Sequence, residues 1–351
     1  MARNDCHLAT RNTGRIVLTL LAPLLAQGCA AAPRTCHGAP PEATRTEAVR
    51  VTPFRHEAAD ATCLQAFRVE PVTDAAPRAV AVVAHGLRDH ATRYEELAAA
   101  LVRERFVVYA QDMRGHARSG GPRQRWDSMD ELTSDLDRLI AKAKSEHPGR
   151  PVFLFGHSLG GLISTRYVLE RPDAVNGLVL SGAALALTDD VGGFDKAAAR
   201  FFSVVIPGLP AQKLDDTVFV RDDAAKQALA SDPLIVHDKL PARSAAVALN
   251  AIEDVGTRME SIAVPLLVMH GTQDVTTNVE GSKALYARAK SADKTLKLWD
   301  GLYHDLLHEP ERAEVVALVV SWMKERAPAP DTQGEAARVP DAPAQAAETS
   351  R

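Results

Sequence analysis

Several signals are missing from this sequence, and each absence narrows what it can be. Lys and Arg number 41 against 45 Asp and Glu, a net charge of -4, so no basic excess advertises a face for nucleic acid. No H-E-x-x-H metal motif occurs, and Cys36-His37 lacks the earlier cysteine of a C-x-x-C-H haem site because Pro33 stands in that place. No internal repeat stands out. The apolar run from Ile16 to Ala26 is too short to span a bilayer comfortably. What is present is 351 residues, 46% hydrophobic and 25% charged, enough for one large domain with an insertion.

The ends read differently from the middle. Arg3, Arg11 and Arg15 precede the apolar run, which is followed by Ala-Gln-Gly-Cys ending at Cys29; residues 1–28 therefore read as an export signal. The tetrapeptide resembles a bacterial lipobox, in which the cysteine is acylated and becomes the mature N-terminus, although Ala26 replaces the usual leucine and Asp5 sits in the basic region. That reading places the protein in the cell envelope, lipid-anchored through Cys29 and facing the periplasm or outer membrane. An ordinary secretory signal, giving a secreted protein, and an uncleaved anchor remain open. Cys6 would leave with the signal, so Cys36 and Cys63 remain as either a disulfide of an oxidising compartment or two free thiols. Residues 29–50, rich in Ala, Pro and Thr, read as a flexible tether. Residues 327–351 lack periodicity and large apolar side chains and read as a disordered tail. The folded body is expected over residues 51–326.

Within the body, short apolar runs alternate with segments of helical period, the pattern of a mostly parallel sheet covered on both faces. Runs at 79–85, 106–112, 151–157, 177–183, 265–271 and 295–301 read as strands, with Cys63 to Pro71 as an antiparallel edge strand. Met129, Leu132, Leu136, Leu139, Ile140 and Ala143 mark a helix that Asp127 or Ser128 caps. The rhythm breaks at about 188–262, which reads as an inserted helical cap. Inside it Phe194, Ala197, Ala198, Phe201, Phe202 and Val205 share one helical face, suited to lipid or to packing on the body.

Chemistry concentrates at Gly156-His157-Ser158-Leu159-Gly160, a G-x-S-x-G pentapeptide between an apolar strand and a helix. Serine there sits on a tight turn that exposes its hydroxyl above the sheet. The hydroxyl needs a histidine to take its proton and a carboxylate to fix that histidine's tautomer, in the chain order serine, acid, histidine. Asp274 and His304 follow later strands and meet that order. His270, His308, Asp300 and Asp305 are rivals, the two aspartates as loop-shaping residues. Backbone N–H groups of Leu159 and Leu87 are expected to receive the oxyanion, with His85 bracing their loop.

In chain order, HGLRDHATRYEELAAAL, DMRGHARSGGPR, FGHSLGG, HGTQD and YHDLLHEP resemble the monoacylglycerol lipase and lysophospholipase group of the α/β-hydrolase superfamily, the S33-like serine hydrolases, over residues 78–324. Residues 221–240 resemble that group's cap. The resemblance implies an α/β-hydrolase fold with the cap inserted before the acid-bearing strand. It also implies a serine hydrolase of acylglycerols or lysophospholipids, with a lipid ester as its partner and no cofactor, metal or nucleic acid. On the same ground Asp89 and Arg93 are either head-group ligands or a salt-bridged loop brace, and membrane contact is expected through the lipid anchor and cap. The group commonly carries glycine where Ala117 stands here. A general carboxylesterase, an S33-type aminopeptidase and an inactive envelope binding module are the alternatives.

Overall fold

The computed structural model describes residues 34–73, 75–187, 204, 206–212 and 216–329. Residues 1–28, Cys29, the face built on Phe194 to Val205, and the tail from 330 onward lie outside the described residues.

Strands form where β-branched and aromatic residues run together. Among the described residues these are β1 (Thr44–Arg45), β2 (Val49–Glu57), β3 (Cys63–Pro71), β4 (Ala79–Ala84), β5 (Phe106–Gln111), β6 (Val152–His157), β7 (Gly177–Ser181), β8 (Pro210–Gln212), β9 (Leu240–Pro241), β10 (Leu266–Gly271) and β11 (Lys294–Trp299). The α-helices are α1 (Glu95–Arg103), α2 (Met129–Glu146), α3 (Leu159–Glu170), α4 (Asp223–Ser231), α5 (Ala242–Arg258), α6 (Val279–Arg288) and α7 (Arg312–Arg326). The main sheet runs β1-β2-β3-β5-β4-β6-β7-β10-β11. It is antiparallel through β1, β2, β3 and β5 and parallel from β5 onward.

The period of two along each strand divides the core. On β4, Val80 and Val82 enter the layer built with α2, α3 and α5, while Ala79, Ala81 and Val83 enter the layer built with α1 and α7. A strand buried on both faces must be apolar throughout, which is why these runs were legible. Helix α2 starts at Ser128, whose hydroxyl accepts the Glu131 N–H at 3.3 Å, one of the two caps expected.

Two boundaries differ from the sequence reading. The expected tether, 29–50, is held to the body from residue 34: Cys36 is disulfide-bonded to Cys63, Cys63 N–H donates to the Arg34 carbonyl at 2.7 Å, and His37 N–H donates to that of Arg118 at 2.8 Å. Strand β2 begins inside that stretch. It hides from pattern reading because Pro53 interrupts it, and Pro53 is tolerated because β1 pairs only its first residues and leaves that side of the strand open. The cap does not extend to 262 either. Ala251, Val255, Met259 and Ile262 are buried in the core, so α5 is the crossover that brings the chain from β7 back to its parallel neighbour β10.

Candidate active site

Ser158 joins β6 to α3 with φ 53° and ψ -119°, a conformation that costs a non-glycine residue about 1–3 kcal/mol. Its neighbours must be glycine for steric reasons. A Cβ on Gly160 would lie 2.2 Å from the Ala84 carbonyl oxygen, and one on Gly156 would lie 2.6 Å from the Gly160 carbonyl oxygen. The turn is pinned to the end of β7, since Ser158 N–H donates to Ser181 O at 3.0 Å and Ser158 O accepts from Ala184 N–H at 3.1 Å.

The three residues singled out in the sequence converge. His304 Nε2 is 2.9 Å from Ser158 Oγ, and His304 Nδ1 is 2.7 Å from Asp274 Oδ2. Close packing of loops makes this possible: a Cβ on Gly182 would come within 3.0 Å of the His304 carbonyl oxygen, and one on Gly271 within 2.2 Å of that of Tyr303. Asp274 Oδ1 accepts the backbone N–H groups of Thr276 at 2.8 Å and Thr277 at 3.0 Å. Burial by itself would raise the Asp274 carboxyl, but His304 and His270 beside it hold it well below the usual carboxylate range. The carboxylate is therefore ionised, the His304 proton sits on Nδ1, and Nε2 offers a lone pair to the serine hydroxyl.

The turn after β4 stands against the serine. A Cβ on Gly86 would be 3.2 Å from Ser158 Cβ. His85 braces this turn as expected: its Nε2 accepts the Met113 N–H at 2.8 Å, so Nδ1 carries the proton and donates to Gly86 O at 2.7 Å. Burial lowers its pKa to about 4, which keeps the ring neutral. Leu87 packs on the core. Leu159 opens α3, so its N–H is among the four at a helix start that have no acceptor within the helix.

Asp89 and Arg93 act as the brace. Asp89 accepts from Gly86 N–H at 3.3 Å, His90 N–H at 2.8 Å, Tyr94 Oη at 2.7 Å and Arg93 Nη1 at 3.3 Å. Arg93 Nη2 reaches Asp305 at 2.8 Å, and Asp305 also holds His308 Nδ1 at 2.8 Å. The bonds of Asp89 and Arg93 lie inside the loop they shape, the arrangement that the brace alternative describes. Asp305 shapes the same loop, and Asp300 accepts Thr272 Oγ1 at 3.2 Å, as their placement suggested.

Sequence reading missed two neighbours. The Phe219 ring, from the cap, lies 5.6 Å from that of His304. The His157 ring lies 4.8 Å from His304, with Nδ1 donating to Ser181 O at 3.0 Å and its pKa lowered to about 4 by burial and then by His304. His270, weighed from the sequence as a rival histidine, touches Asp274 instead. The cap is fastened to the turn after β4 by His90 Nε2 to Asp232 at 2.9 Å and Arg88 Nε to Val236 O at 2.8 Å. Arg221 Nε to the buried Glu309 at 2.8 Å fastens it to the end of the domain.

Fold and site together define an α/β-hydrolase with a serine on its elbow. Residues 75–311 match the model of the serine aminopeptidase S33 family, and the chain belongs to that family. It is 38% identical over 253 residues to the monoacylglycerol lipase of Mycolicibacterium smegmatis, across 72% of this chain and 90% of that protein. It is 34% identical over 253 residues to the monoglyceride lipase of Homo sapiens, across 71% and 84%. The crystal structure of the Paleococcus ferrophilus monoacylglycerol lipase superposes with a TM-score of 0.68 at 32% identity, covering 75% of this chain and 99% of that one.

Proposed function

We propose that this protein hydrolyses carboxylic esters of lipids, with monoacylglycerols or lysophospholipids as the substrate class, through an acyl-enzyme on Ser158. The observation that carries the reading is the continuous contact from Ser158 Oγ through His304 to the ionised Asp274; the substrate class follows the named relatives. In the first step His304 Nε2 takes the hydroxyl proton while Ser158 Oγ bonds to the ester carbonyl carbon. The Leu159 and Leu87 N–H groups receive the oxyanion. The intermediate collapses, the C–O bond to the alcohol breaks, and His304 returns the proton to the leaving oxygen. Water then enters, loses a proton to His304 and attacks the acyl carbon; the bond from that carbon to Ser158 Oγ breaks, His304 returns the proton to Oγ, and the carboxylic acid leaves. Ser158→Ala is expected to lower ester turnover by roughly 10⁴-fold or more without unfolding the chain; near-native turnover would refute the acyl-enzyme.

The same proposal covers location. The Cys36–Cys63 disulfide supports an oxidising compartment, which fits an exported protein anchored by acylation of Cys29. Val204 and Ile206 on the cap, 76% and 49% exposed, support contact of the cap with a lipid surface. In a bacterial host, Cys29→Ala is expected to move the protein from the membrane fraction to the soluble fraction. Unchanged membrane recovery would remove the anchor from the account.

A further inference from the structure

Asp274 meets a second histidine. His270, in β10, is fully buried with Nε2 3.0 Å from Asp274 Oδ2, the oxygen that His304 Nδ1 approaches to 2.7 Å. Its Nδ1 is 2.7 Å from the Ser282 hydroxyl of α6, and its Nε2 is 3.4 Å from the Thr277 carbonyl oxygen. Carboxylate and carbonyl oxygens only accept, whereas a serine hydroxyl can donate. A ring proton of His270 therefore sits on Nε2, facing Asp274 Oδ2, with the Ser282 hydroxyl placed to donate to Nδ1.

We propose that His270 is a positioning residue for the hydrolysis, holding Asp274 Oδ2 where His304 needs it, with Ser282 fixing the tautomer of His270. The inference rests on the ester-hydrolase reading above. Two backbone N–H groups already fix Oδ1, so Oδ2 is the oxygen whose place decides how His304 points. The Thr277 hydroxyl has one proton to divide between Oδ2 at 2.8 Å and the Gly182 carbonyl at 3.0 Å. His270 has a firmer base, because β10 pairs with β7 on one side and β11 on the other. Through His270 the rigid sheet reaches an acid that otherwise stands on a loop. Its N–H also favours the ionised carboxylate while His304 carries the extra proton.

The test measures kcat and KM on a soluble ester for the wild-type protein, His270→Leu, His270→Gln and Ser282→Ala, with fluorophosphonate labelling of Ser158 in each. Misplacement of His304 predicts a kcat lower by roughly tenfold to a hundredfold in His270→Leu, with KM nearly unchanged. His270→Gln, whose amide N–H falls near the place of Nε2, should recover most of that loss, and Ser282→Ala should show a smaller one. Wild-type kcat in His270→Leu, or equal losses in the Leu and Gln variants, would overturn the proposal. Should His270→Leu fail to fold, Ser282→Ala decides, and wild-type kcat there counts against the role. A wild-type protein that does not label at Ser158 brings down the ester-hydrolase reading instead, whereas a labelled wild type with fully active His270 variants brings down only the positioning role.

Discussion

A serine hydroxyl is a weak nucleophile, and what sets Ser158 apart is its surroundings: a strained turn, glycines that let it close, and an imidazole held in one tautomer by a buried carboxylate. The same residue-level physics explains a departure. Ala117, at a position where the resemblance leads one to expect glycine, has φ 41°, on the side of the map that an L side chain avoids. Ala117→Gly relieves about 1–2 kcal/mol of left-handed strain against about 0.4–1 kcal/mol of added unfolded-chain freedom. Thermal melting should therefore show a change from about zero to a gain of about 1.6 kcal/mol; a clear loss would mean that the alanine methyl is needed for packing. Ser158, Asp274 and His304 were legible because a motif and a chain order specify them. Asp89 and Arg93 were not, because one pair of charged side chains fits a ligand site or a brace until their partners are known.

Elements were legible where both faces are buried. The parallel strands announced themselves as unbroken apolar runs, whereas β2, with one open side and a proline, carries no such run. Helix α5 was the harder case, since an amphipathic helix looks the same on a cap as on a sheet. Its burial against α3 and the sheet gives a direct test. Met259, just past its end and 2% exposed, is expected to cost about 2–5 kcal/mol when changed to alanine, read as a lowered denaturation midpoint with the preference among acyl chains unchanged. A nearly neutral Met259→Ala that shifts acyl-chain preference would return this region to the cap. The contacts of His90, Arg88 and Arg221 with cap residues and with Glu309 could not be read from the sequence, because they join segments far apart along the chain.

For the molecule as a whole, buried histidines set the response to acid. His85 and His157 have values near 4 and His116 near 3, all lowered by burial from 6.5. Above pH 6.5 these rings are neutral both folded and unfolded. Below it the unfolded chain binds protons that the folded one refuses, and stability falls by up to about 1.4 kcal/mol per pH unit for each ring until the folded values are reached. His308, where the Asp305 carboxylate outweighs burial and raises the value, acts oppositely: its contribution is full below 6.5 and is lost as the pH rises through the raised value. Asp112 and Asp135, raised by burial, also favour the folded state as acid increases, but nearer the carboxylate range. The melting temperature should accordingly be lower at pH 5.5 than at pH 7.5, and an equal or higher value would contradict this balance. Lipid-ester hydrolysis at Ser158 is tested most directly by fluorophosphonate labelling of the intact protein with mass spectrometry of the adduct, paired with turnover of a monoacylglycerol, a lysophospholipid and a short-chain ester. The account predicts an adduct on Ser158 and faster release of glycerol or glycerophosphoester than of the short-chain alcohol. An unlabelled Ser158, or turnover confined to the short ester, would contradict it.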